Sequence, residues 1–90
     1  MRKHIVITGR VQGVGFRYWL YKTAVRNNIN GWVKNKISGE VEALLIGNDL
    51  EIDNLIKLCK KGPPSSKVAK IEVQNYKKEY SGKSFEIVST

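Results

Sequence analysis

Apolar residues in this chain recur at two different spacings, and the order in which those spacings alternate limits the fold more than any other feature. Residues 3–9 predict a β-strand, because Ile5 and Ile7 share one face. The segment from Phe16 to about Asn28 predicts an α-helix with two apolar stripes, and periodicity alone does not decide which stripe is buried. The first stripe consists of Phe16, Leu20 and Ala24 and is widened by Trp19. The second stripe consists of Tyr18, Tyr21 and Val25.

A β-hairpin is predicted within the sequence NGWVKNKISGEVEALLIG. Residues 32–33 lie in its first arm, the turn falls near residues 35–39, and residues 41–46 form the second arm. Two further strands are predicted towards the C-terminus, over residues 68–73 and over residues 85–88.

A second helix is predicted to begin after Asn48, which together with Glu51 resembles a capping box. The apolar face of this helix consists of Ile52, Leu55, Ile56 and Cys59. The helix is predicted to end at Gly62, Pro63 and Pro64. Cys59 is the one cysteine of the chain, so an internal disulfide and a thiolate metal cluster are both excluded. Its place on the apolar face predicts a buried small hydrophobe.

The order β-α-β-β-α-β, with a short C-terminal strand added, predicts an α+β fold. Two helices on one face of a mostly antiparallel sheet make a two-layer sandwich, for which the split β-α-β arrangement is the natural topology. A chain of 90 residues has room for one hydrophobic core, so residues 1–90 are expected to form a single domain.

The formal net charge of +8 favours an anionic partner, but it does not distinguish a nucleic acid, a membrane surface or a small phosphate. No apolar run approaches the roughly 20 residues that span a bilayer, so no membrane segment is expected. The basic N-terminus is followed by an apolar run, residues 5–7, that is too short for a signal peptide. We therefore expect a cytoplasmic protein.

The stretch GRVQGVGFRYW places three glycines, Gly9, Gly13 and Gly15, between the first strand and the first helix. Such a junction offers backbone N–H groups at the positive end of a helix dipole, and glycine permits the positive φ angles of a tight cradle. The spacing does not fit a P-loop, because three residues rather than four separate Gly9 from Gly13 and Val14 stands where a P-loop has lysine. It does not fit the dinucleotide-binding pattern G-x-G-x-x-G either, because Tyr18 stands at the third position after Gly15. An ordinary glycine-rich turn remains the alternative.

Arg17 falls in the first turn of the predicted helix, where the macrodipole disfavours a cation by some tenths of a kcal/mol. An anion held between the guanidinium and the loop would explain this position, because arginine can bind phosphate with two parallel hydrogen bonds. A solvated surface arginine is the alternative.

The chain carries no evident general acid, nucleophile or metal cluster. His4 is on the first strand, where a structural role is expected, and Asp49 and Asp53 fit a solvated helix face. Glu40 and Glu42 share a strand face but have no further ligands. An alkyl phosphate needs a proton donor or a metal ion to release its alkoxide, whereas an acyl phosphate releases a stable carboxylate. Positioned water and neutralised phosphoryl oxygens could be enough for an acyl phosphate.

The motifs GRVQGVGFR and GWVKN, with GPP after the second helix, resemble the acylphosphatase family over nearly the whole chain. The resemblance implies a ferredoxin-like α+β fold and hydrolysis of the carboxyl-phosphate bond without metal or cofactor. The implied substrate is a small acyl phosphate, and the implied protein is a monomer.

The resemblance also assigns roles to residues. Arg17 would hold the phosphate, and Asn35 would orient the attacking water, although a turn residue is the alternative for Asn35. Lys36 stands where many relatives have threonine or leucine, and the chain ends FEIVST without the arginine-bearing tail often seen in relatives. The amides that would hold the phosphate with Arg17 belong to Val11, Gln12, Gly13, Val14, Gly15 and Phe16.

Two other functions fit this fold class. A nucleic-acid-binding module agrees with the net charge, but the strand VEALLIG lacks the aromatic residues with which RNA-recognition domains stack bases. We therefore expect no nucleic-acid partner. The acylphosphatase-like domains of hydrogenase maturation proteins are the second alternative, and the short chain argues against it.

Overall fold

The computed structural model describes residues 1–89, which form five strands and two helices. In chain order the elements are β1 (Arg2–Arg10), α1 (Phe16–Arg26), β2 (Asn30–Asn35), β3 (Val41–Ile46), α2 (Asp49–Lys61), β4 (Lys67–Asn75) and β5 (Phe85–Ile87). The strands make one sheet in the order β4-β1-β3-β2-β5. Every neighbouring pair is antiparallel except β2 and β5, which are parallel. This is the ferredoxin-like α+β fold, and the predicted fold class is confirmed.

The core lies between the sheet and the two helices, and it decides which face of α1 is buried. Leu20 and Ala24 are fully buried, whereas Tyr18 and Val25 are exposed. The stripe that begins at Phe16 is therefore the inner one, and Trp19 packs against it at the edge. The buried apolar residues of the core are Ile5, Ile7, Val11, Phe16, Leu20, Ala24, Ile29, Val33, Val41, Ala43, Leu45, Ile52, Leu55, Cys59 and Phe85.

The predicted limits of α2 agree with the structure. The Asn48 side chain accepts hydrogen bonds from the amides of Leu50 at 2.8 Å and Glu51 at 3.4 Å, which caps the first turn. Gly62 follows the last turn with φ of 69°, a conformation that glycine adopts without strain. Burial raises the pKa of the Cys59 thiol to about 12, so this residue behaves as the predicted buried hydrophobe.

The observed limits of β1, β4 and β5 differ slightly from the predicted ones, and two other differences have a clear structural reason. Helix α1 ends at Arg26 rather than near Asn28, because Asn28 has φ of 57°, a left-handed conformation that no helix continues. Asn35 lies in β2 rather than in the turn, since its backbone pairs with Val41 across the hairpin. The turn itself runs from Lys36, whose amide donates to the Glu40 carbonyl at 2.8 Å.

The topology brings three strand ends and one helix start to the same end of the sheet. β1 and β2 both lie antiparallel to β3, so they run in the same direction, and β5 runs parallel to β2. The carboxyl ends of these three strands therefore meet at one end of the sheet, and α1 begins there after a five-residue loop.

Candidate active site

A pocket of about 240 Å³ opens at this end of the sheet. It contains Arg17 from α1 and Asn35 from β2, which the sequence separates but the topology brings together. Asn35 is two residues beyond Val33, so its side chain points to the face of the sheet that the helices cover. The residues lining the pocket are Val11, Gly13, Gly15, Phe16, Arg17, Tyr18, Asn35 and Ile87.

The loop between β1 and α1 has the backbone conformation of a cradle. Gly13 and Gly15 have φ angles of 73° and 77°, in the left-handed region that favours glycine. A Cβ atom at either glycine would meet no atom within 4 Å beyond its own chain neighbours, so the dihedral angle rather than lack of space requires glycine. The two ends of the loop are anchored by Val11 and Phe16, whose side chains are buried in the core.

The amides of this loop are free to bind an anion. Within residues 1–89, no backbone N–H group of residues 12–15 donates a hydrogen bond. Gly15 is the N-cap of α1 and provides no side-chain cap. The first bond at the start of the helix runs from the Trp19 amide to the Gly15 carbonyl at 3.0 Å, so the amides of residues 16–18 have no partner inside the helix. These N–H groups lie at the positive end of the α1 dipole.

Arg17 adds a full positive charge to these partial charges. Its half-buried side chain lines the pocket, and within the described part of the chain it forms no ion pair. The first turn of α1 also contains no acidic residue. The pocket thus combines a guanidinium and several N–H groups, which is the donor set that a phosphate group prefers.

Asn35 lines the same pocket and carries an unpaired acceptor. Its Oδ1 atom is buried and has no hydrogen-bond partner among residues 1–89. An acceptor left in this state costs roughly 1–3 kcal/mol, and natural structures contain few such atoms. A donor supplied by water or substrate would remove this cost, so the amide fits a binding role as well as a structural one.

The side chain of Gln12 connects the loop to the β2–β3 turn. Its Nε2 atom donates to the Lys36 carbonyl at 2.7 Å and to the Glu40 carbonyl at 2.9 Å. Neither Gln12 nor Val14 lines the pocket with its side chain. The prediction that their amides bind phosphate stays a prediction, but the Gln12 side chain has a second role that the sequence did not indicate.

The other ionisable groups considered from the sequence lie elsewhere. His4 contacts Glu42 at 2.5 Å between Nε2 and Oε2, and neither residue lines the pocket. Glu40 precedes β3 instead of sharing its face, and its carboxylate accepts a hydrogen bond from Ser38. Asp49 and Asp53 are exposed, as expected. Residues 1–89 contain no group of three or more His, Cys, Asp or Glu side chains that could hold a metal ion.

Two pocket residues were not predicted from the sequence. Tyr18 follows Arg17 directly, but the sequence presented it as part of an apolar stripe. Ile87 comes from β5, and only the pairing of β5 with β2 brings it near Asn35. No pattern in the linear sequence distinguishes Ile87 from the other apolar residues of the C-terminal segment. In the described chain, neither helix has the length and apolar character needed to cross a bilayer.

A family model, curated relatives and solved structures all include acylphosphatases. The family model described as Acylphosphatase matches residues 3–87. A curated acylphosphatase from Rhodopseudomonas palustris strain BisB5 is 38% identical over 93 residues, covering 98% of this chain and 94% of that protein. The crystal structure of acylphosphatase from Bacillus subtilis is 38% identical with a TM-score of 0.92, over 97% of each chain. Full-length HypF, in its phosphate- and nucleotide-bound form, matches 98% of this chain with 12% of its own, at 32% identity and a TM-score of 0.85.

Proposed function

This chain is an enzyme of the acylphosphatase family, and from that membership we propose how its pocket hydrolyses an acyl phosphate to a carboxylate and orthophosphate. The observation that carries the proposal is the composition of one pocket. Arg17, which has no ion pair in the described chain, and Asn35, which has an unpaired buried oxygen, line the same cavity beside the free loop amides.

The phosphoryl group binds to the loop between β1 and α1. Its oxygens accept hydrogen bonds from backbone amides of residues 11–16, among which those of residues 12–15 donate to no other group in residues 1–89, and from the guanidinium of Arg17. The loop amides are arranged before the substrate arrives, because both ends of the loop are buried and Gly13 and Gly15 have left-handed backbone angles. Preorganised donors stabilise the charge that develops on the phosphoryl oxygens during transfer.

Asn35 positions the nucleophile. The side-chain amide of Asn35, which lines the pocket, holds a water molecule in line with the bond to be broken. The water oxygen forms a bond to phosphorus, and the bond from phosphorus to the bridging oxygen breaks. The electron pair of that bond passes to the carboxylate, and both water protons remain on the orthophosphate.

The leaving group explains why so few residues are needed. A carboxylate departs without a proton donor, and among the described residues that line the pocket none is an acid or a histidine. We accordingly propose metal-independent hydrolysis, which is supported by the lack of a metal-binding cluster in residues 1–89. The cytoplasmic location, the monomeric state and the single-domain organisation stay predictions.

The test is hydrolysis of benzoyl phosphate by the purified chain in the presence and absence of EDTA, with an alkyl phosphate monoester as the second substrate. We expect the same rate with and without EDTA, and negligible turnover of the alkyl ester. Loss of activity on chelation, or comparable rates on both substrates, would contradict the mechanism. A phosphate-binding domain without turnover is the alternative. It would bind orthophosphate but would not hydrolyse benzoyl phosphate.

A further inference from the structure

We propose that Arg10 and Lys67 attract the anionic substrate to the pocket from outside it, through their charge and without contact. The inference rests on the proposed function and concerns how the phosphate reaches the loop rather than how the loop holds it. The net charge of +8 favours an anionic partner, and the fold decides where on the molecule such a partner meets that charge.

The basic residues are concentrated at the end of the sheet that holds the pocket. Strand β4 is antiparallel to β1 and therefore starts at this end, and α2 ends just before it. Among residues 1–89, the element ends and loops gathered here carry one acidic side chain, that of Glu40, and six basic ones. The six basic residues are Arg10, Arg17, Lys36, Lys60, Lys61 and Lys67.

Local structure accounts for four of these six cations. Arg17 lines the pocket, and the Nζ atom of Lys36 lies 3.9 Å from the carboxylate of Glu40. Lys60 and Lys61 are in the last turn of α2, where the negative end of the helix dipole favours a cation. Arg10 and Lys67 have no comparable local reason for their charge.

The pairing of β1 with β4 even places these two cations at a cost. Arg10 and Lys67 stand directly opposite each other, and like charges in this arrangement destabilise a sheet. The register shift between Thr8 and Gly9 creates the pair, because a regular register would put Val68 opposite Arg10. Both side chains are exposed, and within residues 1–89 neither forms an ion pair.

The position of the pair gives this cost a use. Arg10 directly precedes Val11, the first residue of the phosphate loop and part of the pocket lining. At about 0.1 M salt the Debye length is about 10 Å, so charges beside the loop act on a phosphate while charges at the far end of a 30 Å molecule are screened. At a separation on the order of 10 Å, each unit of positive charge should raise the affinity for a phosphate dianion roughly 1.5- to 2-fold.

The experiment reverses both charges in Arg10→Glu/Lys67→Glu, which keeps a like-charge pair across the two strands while changing the net charge by four units. We expect kcat/KM for benzoyl phosphate to fall about 5- to 15-fold at about 0.1 M salt, with kcat nearly unchanged. The affinity for orthophosphate, measured by direct titration, should fall by a similar factor. At about 1 M salt the Debye length is about 3 Å, so both differences from wild type should nearly disappear.

Lys77→Glu/Lys78→Glu is the matched control. It makes the same change in net charge at the opposite end of the sheet, where Asn75 of β4 pairs with Lys3 of β1. Both lysines are exposed and neither lines the active-site pocket. We expect wild-type kcat/KM and orthophosphate affinity from this control at about 0.1 M salt.

Lys67→Gln keeps the proposal testable if the double reversal does not fold. Removing one member of the like-charge pair should leave the unfolding midpoint at or above the wild-type value and lower kcat/KM about 1.5- to 2-fold at about 0.1 M salt. An unchanged kcat/KM in Lys67→Gln, an equal loss in both double variants, or a loss that persists at high salt would overturn the proposal. A wild-type chain that binds orthophosphate with the expected salt dependence but hydrolyses no benzoyl phosphate would support the role of the two cations and refute the proposed function.

Discussion

Replacing Gln12 with methionine removes the connection between the phosphate loop and the β2–β3 turn while keeping a similar side-chain length. The change deletes two hydrogen bonds, from Nε2 to the carbonyls of Lys36 and Glu40. Each is worth about 0.5–1.5 kcal/mol, which gives a loss of about 1–3 kcal/mol in the free energy of unfolding. No larger loss is expected, because both carbonyls keep a backbone donor, from Gly39 at 3.0 Å and from Lys36 at 2.8 Å.

The same change should affect turnover through the position of Asn35. Asn35 directly precedes the turn that Gln12 holds, and a displacement of about 1 Å can cost 100-fold in rate. We expect Gln12→Met to lower kcat by about 10- to 100-fold and to leave inhibition by orthophosphate close to wild type. The Gln12 side chain would then be a positioning group rather than a phosphate ligand.

Denaturant unfolding, kcat and the orthophosphate inhibition constant, measured on one preparation, test this reasoning. For a chain of this length each kcal/mol also corresponds to about 4–8 °C in Tm. Gln74→Met is the matched control, because Gln74 is exposed on β4 and its side chain has no hydrogen bond in residues 1–89. Wild-type stability and kcat in Gln12→Met would refute the positioning role. Weaker orthophosphate inhibition with an unchanged kcat would assign the side chain to phosphate binding instead.

Three groups give further predictions. Arg17→Lys keeps the charge but loses the pair of parallel donors of the guanidinium, so both kcat and the affinity for orthophosphate should fall while the protein stays folded. The loss of binding free energy for orthophosphate should be about 1.5–3 kcal/mol. Wild-type inhibition by orthophosphate would contradict this. Asn35→Ala should lower kcat about 10²- to 10³-fold with near-normal orthophosphate inhibition, whereas a normal kcat with a lower unfolding midpoint would make Asn35 a purely structural residue. Burial raises the pKa of Cys59 from 9.0 to about 12, so the folded chain retains a proton that the unfolded chain loses, and the stability present below pH 9 should decline as pH rises from about 9 towards 12. Denaturation curves over that range, compared with those of Cys59→Ala, measure this contribution, and identical pH dependence in the two proteins would disprove it.

The order of the elements was predictable because each has a distinct local pattern. Helix α2 shows this best: its cap at Asn48 and its single apolar stripe both lie within a few residues of sequence. Helix α1 was ambiguous because aromatic residues occupy both of its stripes, and only the sheet beneath it decides that Leu20 is buried and Tyr18 exposed. The sequence predicts a turn at Asn35 because asparagine is common in turns, whereas its strand pairing depends on Val41 across the hairpin.

The candidate site was predictable to the extent that it follows from local motifs and their resemblance to a family. Arg17 and Asn35 do line one pocket, although their roles stay predictions. The link made by Gln12 depends on the distance between two loops, and the contribution of Ile87 depends on β5 being placed beside β2. Neither relation leaves a pattern in the linear sequence, because both arise only when distant segments are packed together.

Among residues 1–89, no side chain caps the start of α1. Most helices satisfy their first amides with a Ser, Thr, Asp or Asn side chain, and such a cap is typically worth about 1 kcal/mol. Gly15 offers none, and in the proposed mechanism the bound phosphate would take the place of that cap. Ligand and fold would then use the same hydrogen bonds, and a side chain that satisfied these amides would stabilise the empty protein while competing with its substrate.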